Sequence, residues 1–217
     1  MIDPRSPEYK NEIIRKAIHI SSASIPIGYY FLPKEIVLYI IVPITVLLVA
    51  FELLKYKIDF LYSLYLKFFK SMLREHEYST NRLRLNGASW VMIGDIISII
   101  IFPKYIAISG MLLLSLSDSI SAFAGQVYAK KYYAPNRSYI GSFTFFVVGI
   151  IIILLSPKYF HQPLEYIIGI AAVLVTTIAD SFSIPVDDNL FIPVVSCTVL
   201  YILYVIFFPA IFTIKLF

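Results

Sequence analysis

The sequence predicts an all-α membrane protein, a polytopic bundle of about seven transmembrane helices with one further helix at the membrane surface. Of its 217 residues, 59% are hydrophobic and 15% are charged, and the mean hydropathy is +0.80. A soluble domain carries about 25% charged residues. Because a transmembrane helix needs roughly 20 mainly apolar residues, seven spans occupy almost the whole length. We therefore expect a single integral membrane domain over residues 1–217.

Apolar segments bounded by Pro, Lys, Asp and Asn define the predicted spans. They cover residues 18–33, 36–54, 86–102, 105–128, 139–156, 164–183 and 190–213. The first span is the weakest, because Ser21, Ser22 and Ser24 dilute its apolar character. The segment before it is too polar for the hydrophobic region of a signal peptide, so we expect it to remain in the mature chain.

The connection between the second and third spans contains the sequence YKIDFLYSLYLKFFKSMLR. Its polar positions, Ser63, Lys67, Lys70 and Arg74, recur every three or four residues among Tyr, Leu and Phe. A basic stripe on an otherwise apolar helix is typical of a helix that lies flat at the lipid headgroups. We expect an interfacial anchor here, with a wall or gate for a long lipid substrate as the alternative.

The distribution of Lys and Arg predicts the orientation in the membrane. Fourteen lie before the first span or in the even-numbered connections, whereas Lys34, Lys104, Lys158 and Lys215 lie on the other side. The positive-inside rule therefore places the N-terminus in the cytoplasm and the C-terminus outside. We attribute the net charge of +4 to this asymmetry and to attraction by anionic lipid, and expect no nucleic-acid partner. The single cysteine, Cys197, excludes a disulfide framework and a cysteine-based metal cluster.

Carboxylates inside the predicted spans are the strongest functional signal. An ionisable group at the centre of a span costs about 2.5–3.5 kcal/mol, so it is retained for a reason. At about 1.5 Å per residue, Asp95 and Asp118 lie roughly 13–16 Å from the same membrane face. Asp180 lies near the cytoplasmic end of the sixth span, and the pair Asp187 and Asp188 precedes the seventh. These acidic groups are predicted to converge on one cytoplasmic region, although a structural hydrogen bond or ion pair explains Asp95 equally well.

Converging carboxylates need a compensating cation, and Mg²⁺ is the hard cation that combines few carboxylates with phosphate oxygens. Basic residues surround the same region: Arg15, Lys16 and His19 before the first span, Arg82 and Arg84 before the third, and Lys130, Lys131 and Arg137 after the fourth. The segment from Arg137 to Ser142 adds hydroxyls, a glycine and free helix-terminal N–H groups, which bind phosphate. The sequence thus predicts a Mg²⁺ and phosphate site. The alternative is that the Arg-Lys pair only encodes topology and that Ser115 and Ser119, on either side of Asp118, only pack helices.

The motifs in these segments resemble the CTP-dependent polyprenol kinase family, which groups dolichol kinases, phytol kinases and CTP-dependent diacylglycerol kinases and is distantly related to CDP-diglyceride synthases. The resemblance extends over nearly the whole chain, and the order and spacing of short motifs make it specific. Its residues are Arg15-Lys16-x-x-His19, Arg74-x-x-Glu77, Asn86-Gly87-Ala88, Asp118 with Gly125, Gly141-Ser142, and Asp187-Asp188-Asn189-Leu190 before Ile192-Pro193.

The resemblance implies transfer of the γ-phosphate of CTP, with Mg²⁺, to the hydroxyl of a long-chain isoprenoid alcohol taken from the bilayer. It implies an active site facing the cytoplasm, in which Asp118, Asp187 and Asp188 serve catalysis and the metal. The implied nucleotide-binding residues are Arg15, Lys16, His19, Gly125, Lys130, Arg137, Ser138, Gly141, Ser142 and Asn189. Further candidates are Arg74, Glu77, Asn86, Asp95 and Asp180.

The chain departs from the family pattern at a few positions. Arg137 and Ile140 stand where the family usually has Lys and Glu, Ala129 stands near a common Gly, and Asp180 stands where Glu is frequent. Arg offers a bidentate fork, whereas Ile140 removes an anion.

Two other functions remain open from the sequence. A lipid cytidylyltransferase would use the same groups to attack the α-phosphate of CTP. A small ion- or proton-coupled transporter would use Asp95 and Asp118 as a path. The convergence of charged groups on one membrane face favours an enzyme over a transporter.

Overall fold

Helices make up nearly all of the computed structural model, which describes residues 7–55, 57–69, 85–134, 137–182 and 185–213. In chain order the helices are α1 (Pro7–Ser21), α2 (Ser24–Phe31), α3 (Lys34–Leu54), α4 (Asp59–Phe69), α5 (Gly87–Ile101), α6 (Lys104–Leu112), a π-helical segment (Leu113–Asp118), α7 (Ser119–Tyr128), α8 (Tyr139–Leu155), α9 (Pro163–Ser181), α10 (Asp188–Phe207) and a 3₁₀ helix (Pro209–Thr213). A short antiparallel ribbon of β1 (Tyr132–Ala134) and β2 (Arg137–Ser138) joins α7 to α8.

Four of these helices are long and apolar enough to cross a membrane: Lys34–Leu54, Lys104–Tyr128, Pro163–Ser181 and Asp188–Phe207. The second of them runs continuously through α6, the π-helical segment and α7. The helices α5 and α8 are apolar but shorter, with 15 and 17 residues. The predicted all-α membrane class is thus confirmed, while the number of seven spans stays a prediction.

The ends of the predicted spans need two corrections. Residues 18–33 do not form one helix, because the chain turns at Ser22 and Ala23 between α1 and α2. The Ser21 and Ser22 hydroxyls donate to the carbonyls of Ile18 and His19, each at 2.6 Å, and such local bonds compete with helix continuation. The last span ends at Phe207 rather than 213. Proline at 209 lacks an N–H and cannot extend α10, so a 3₁₀ turn follows.

The predicted interfacial helix is represented by α4. Lys67 is exposed on it, and Tyr65 is buried beneath the ammonium group of Lys55, which lies 3.4 Å from the ring centroid. This cation–π contact fastens α4 to the end of α3. The remainder of the predicted helix, with Arg74 and Glu77, lies outside the described residues.

The core of the bundle separates two chemically different ends. Apolar residues of α5, α6, α9 and α10 fill its centre, and Cys197 is fully buried among them, as expected for a small core side chain. At one end, Lys34 donates to the carbonyl of Ile100 and Lys104 to that of Leu32, at 3.1 and 3.0 Å. The carboxylates described below lie at the other end. The separation of these groups matches the charge pattern, whereas the side that faces the cytoplasm stays a prediction.

Candidate active site

Arg137 connects the ends of three structural elements. Its Nη1 lies 2.6 Å from both carboxylate oxygens of Asp180, and its Nη2 lies 2.7 Å from Oδ1 of Asp188. Arg137 belongs to β2, Asp180 to the last turn of α9, and Asp188 is the first residue of α10. The planar guanidinium can bridge two carboxylates because its N–H groups point in fixed, divergent directions.

The electrostatics of Arg137 reveal a third carboxylate nearby. Partial burial lowers the pKa of its guanidinium, but Asp180, Asp188 and Asp118 raise that pKa, and the net shift is upward. The Asp118 side chain makes no hydrogen bond or ion pair with any residue that the structure describes. Three carboxylates around one cation leave an excess of negative charge, which favours binding of a further cation.

The carboxylate oxygens around Arg137 suit Mg²⁺ better than a metal ion whose ligands all come from the protein. Within the described ranges, no three His, Cys, Asp or Glu side chains are arranged to hold a metal ion. Mg²⁺ commonly uses one or two carboxylates and takes its other ligands from water and phosphate. Asp118 carries such oxygens, as does the half-exposed Asp188, which also contacts Arg137 through Oδ1, whereas both oxygens of Asp180 lie against Arg137. Asp187 caps α10, with one oxygen accepting from the Asn189 N–H at 3.0 Å. Their role as metal ligands stays a prediction.

The predicted phosphate segment has local structural roles. Ser138 caps α8, because its Oγ accepts from the Gly141 N–H at 3.1 Å. A Cβ on Gly125 would lie only 2.9 Å from that Oγ, and one on Gly141 would lie 3.4 Å from the Ser121 carbonyl. The two glycines therefore let α7 and α8 come close together. Ser142 pairs with the Tyr133 hydroxyl at 2.7 Å. Phosphate binding by this segment stays a prediction.

Three predicted motifs that are far apart in the sequence meet at Asn189. Its Oδ1 lies 2.5 Å from Nε2 of His19, and its Nδ2 donates to the carbonyl of Gly87 at 3.3 Å. The two half-buried cations of α1, Arg15 and Lys16, precede His19 by about one helical turn. The order of motifs in the sequence did not reveal these contacts, since they join α1, α5 and α10.

Two further residues complete this end of the bundle: Ser119, which the sequence indicated only as a small residue beside Asp118, and Glu52, which the sequence analysis missed. Ser119 lies 3.2 Å from Nδ1 of His19. Glu52 is 1% exposed, and its Oε2 accepts from the backbone N–H of Asn86 at 2.9 Å. Asn86 in turn caps α5 through its side chain. The sequence signal that could have identified Glu52 is the presence of a carboxylate near the end of the second predicted span, within an apolar segment.

Other predicted site residues are not joined to this group. Asp95 is completely buried, and neither carboxylate oxygen has a hydrogen-bond partner in the part of the chain that the structure describes. The acidic residues that surround Arg137 are therefore Asp118, Asp180 and Asp188, without Asp95. Lys130 follows the end of α7 and is exposed.

The fold and the charged cluster together define an integral membrane protein with an anionic site at one end of its helix bundle. No protein family model matches the chain, and no solved structure matches it. An uncharacterized protein of Rickettsia prowazekii is 27% identical over 195 residues, which cover 89% of this chain and 95% of the relative.

Two other relatives carry the name CTP-dependent diacylglycerol kinase 1. The protein of Saccharomyces cerevisiae is 29% identical over 162 residues, or 73% of this chain and 54% of the relative, so the chain spans about half of that kinase. The protein of Schizosaccharomyces pombe is 28% identical over 216 residues, or 89% of this chain and 94% of the relative. This chain is thus a distant homologue of CTP-dependent lipid kinases.

Proposed function

We propose that this protein is a CTP-dependent membrane lipid kinase that transfers the γ-phosphate of CTP to a lipid hydroxyl. The observation that carries the proposal is the cluster of Arg137 with Asp118, Asp180 and Asp188 at one end of an apolar helix bundle. The similarity to two CTP-dependent diacylglycerol kinases over most of this chain supports it. A site at the end of a bundle gives access to a nucleotide from water and to a hydroxyl from the bilayer.

The residues of the cluster match the needs of phosphoryl transfer. This reaction depends on charge neutralisation and alignment more than on covalent participation of the protein. We assign to Mg²⁺ the carboxylate of Asp118 together with that of Asp187 or Asp188, and the ion when bound would neutralise phosphate charge. Arg137, which Asp180 holds in place, offsets the charge that develops on the transferred group. Asp118 also accepts or orients the proton of the attacking hydroxyl.

In this proposal, the remaining cationic side chains bind the nucleotide. Arg15 and Lys16 lie on α1, beside the His19 to Asn189 contact, and Lys130 follows α7. The attraction between a cationic side chain and a triphosphate is strongest where water is partly excluded. The half-buried Arg15 and Lys16 therefore contribute more to CTP affinity than the exposed Lys130.

The acceptor that we propose is a long-chain isoprenoid alcohol, as the resemblance to polyprenol kinases implies. Diacylglycerol is the second candidate, which the names of both yeast relatives favour. Both acceptors offer one hydroxyl at the membrane surface and a tail that remains in lipid. The lateral surface of α3, with Tyr39, Val46 and Leu47 exposed, faces the lipid in this proposal.

The fate of each phosphate of CTP tests the reaction. Purified protein in detergent receives Mg²⁺, CTP labelled at the α or the γ position, and either an isoprenol or diacylglycerol. We expect only the γ label to enter the organic phase. Transfer of the α label would instead identify a cytidylyltransferase, and no transfer with either lipid would contradict the proposal. The lipid that gives the higher kcat/KM identifies the acceptor class.

A further inference from the structure

Three polar side chains form a continuous hydrogen-bonded chain between α7, α1 and α10. Ser119 Oγ lies 3.2 Å from Nδ1 of His19, and Nε2 of His19 lies 2.5 Å from Oδ1 of Asn189. Ser119 is 1% exposed, and both His19 and Asn189 are partly buried. The imidazole thus has a defined partner on each nitrogen.

The orientation of the Asn189 amide is defined by a third contact. Its Nδ2 lies 3.3 Å from the carbonyl oxygen of Gly87, which accepts but never donates a hydrogen bond. The amide N–H₂ must therefore face Gly87, and the amide oxygen must face His19. Gly87 also makes room for this arrangement, since a Cβ there would lie 2.9 Å from Nδ2.

The amide orientation determines the tautomer of His19. An amide oxygen only accepts, so Nε2 of His19 must carry the proton of this hydrogen bond. In a neutral imidazole the other nitrogen is then an acceptor, to which the Ser119 hydroxyl donates. We infer that Asn189 is a positioning residue, which holds His19 as the Nε2–H tautomer with the Nδ1 lone pair directed at Ser119.

The three hydrogen-bonded side chains lie next to the carboxylates of the proposed site. Ser119 directly follows Asp118, and Asn189 directly follows Asp188. The chain of hydrogen bonds therefore ties the backbone on both sides of the proposed metal site to α1, which carries Arg15 and Lys16. The effect on turnover rests on the proposed function, whereas the tautomer does not.

Nitrogen NMR of the protein in detergent tests the tautomer. The chain has three histidines, so ¹⁵N-histidine labelling with the His19→Gln variant as the assignment control isolates the His19 signals. For the neutral imidazole, we expect Nε2 to give the shift of a protonated nitrogen and Nδ1 that of a bare, hydrogen-bonded one. A dominant Nδ1–H tautomer of His19 in the wild-type protein would overturn the inference.

Two variants of Asn189 test the cause. Asp at position 189 keeps an oxygen that accepts from Nε2, whereas Leu has a similar size and no acceptor. We expect Asn189→Asp to keep the Nε2–H tautomer and Asn189→Leu to give a mixture of both tautomers. An unchanged tautomer in a folded Asn189→Leu protein would contradict the role of Asn189.

The Ser119→Ala variant tests the consequence for the reaction. We expect it to lower kcat about tenfold, as the loss of a supporting hydrogen bond does at other active sites, with an unchanged KM for CTP. A rise in KM for CTP with unchanged kcat would show a nucleotide contact and overturn the positioning role. If the tautomer is as inferred but no lipid is phosphorylated, the proposed function fails and the inference about Asn189 stands.

Discussion

The two acidic partners of Arg137 differ in their exposure to solvent. The side chain of Asp180 is 8% exposed and that of Asp188 is 50% exposed, while that of Arg137 is 18% exposed. A buried ion pair that loses one partner leaves an uncompensated charge, whereas an exposed pair contributes little. The two contacts of one guanidinium therefore have different roles: Asp180 holds Arg137 in place, and Asp188 remains accessible from water.

This difference predicts unequal effects on stability. We expect Asp180→Asn to lower the free energy of unfolding by about 3 kcal/mol, because Arg137 then keeps a buried charge without its main partner. The matched variant Asp188→Asn should lower it by less than about 1 kcal/mol. Reversible unfolding of both purified variants in the same detergent gives the comparison. Equal losses would show that the two carboxylates support Arg137 to the same extent.

Asp118 differs from Asp180 and Asp188, because its charge acts on Arg137 although it forms no ion pair with any described residue. Asn at this position keeps the size and removes the charge. We expect Asp118→Asn to lower kcat by orders of magnitude while the unfolding temperature changes little. Asp59→Asn, at an exposed position on α4, is the control for a lost surface charge. Near-normal activity of Asp118→Asn at ordinary Mg²⁺ would rule out the metal role of Asp118.

At the scale of elements, the contact between α7 and α8 depends on small residues. Gly125 lies against the Ser138 side chain that caps α8, so a methyl group there must push the cap or the helix away. Overpacking of this kind costs about 1–3 kcal/mol. The arrangement places the ribbon and Arg137 at a fixed distance from α7.

We therefore expect Gly125→Ala to lower both the unfolding temperature and the kinase activity. Gly28→Ala on α2 is the matched control, because a Cβ on Gly28 would meet nothing within 4 Å. That control should be neutral or slightly stabilising, since Ala favours helix. Thermal unfolding and γ-phosphate transfer are measured on the same preparations. A Gly125→Ala protein that matches the control in both would refute the close-packing role.

The sequence predicted the elements more successfully than their contacts. Apolar segments of helical length gave α3, α5, α8 and α9 to within about two residues, because membrane burial is a local property of composition. The break between α1 and α2 was missed, since it depends on serine hydroxyls that bond to the chain's own carbonyls.

The candidate site was predicted as a set of residues but not as a geometry. Asp118, Arg137 and Asp188 were named from the cost of buried charge and from the resemblance. The partners of Arg137 are 43 and 51 residues away, and no periodicity encodes such pairs. Asp95 has the same predicted depth as Asp118, yet it is completely buried and lies apart from Arg137. Depth along a helix follows from spacing, whereas the direction of a side chain depends on which neighbours pack against that helix.

At the scale of the whole molecule, the two ends of the bundle carry different charges. Lysines 34, 104 and 158 lie at one end, and the Arg137 cluster lies at the other. By the predicted topology, fourteen of the eighteen Lys and Arg lie on the side of the Arg137 cluster and four on the other side. The positive-inside rule therefore predicts that the cluster faces the cytoplasm, where CTP is available.

Cysteine labelling tests this orientation. The native Cys197 is fully buried and should give little background. We expect an impermeant maleimide to label Glu35→Cys, but not Val186→Cys, in intact right-side-out vesicles, since both positions are exposed and lie at opposite ends. Both should react after detergent is added, which controls for accessibility. Labelling of residue 186 from outside would reverse the predicted topology.

The π-helical segment Leu113–Asp118 has a consequence for how this chain tolerates insertions and deletions. A π turn holds one more residue than an α turn, so it offsets the helical register of everything that follows it. Before it, α6 packs on α2 and α10, and after it, α7 packs on α8. Deleting one residue from the π-helical segment would let it close to an α turn and keep Asp118 at nearly the same angle, whereas deleting one residue from α6 would rotate Asp118 by about 100° relative to the part of α6 before the deletion. One surplus residue thus lets the two halves of this long apolar helix pack against two separate sets of neighbours, and the segment that holds the residue can lose it without turning Asp118 away.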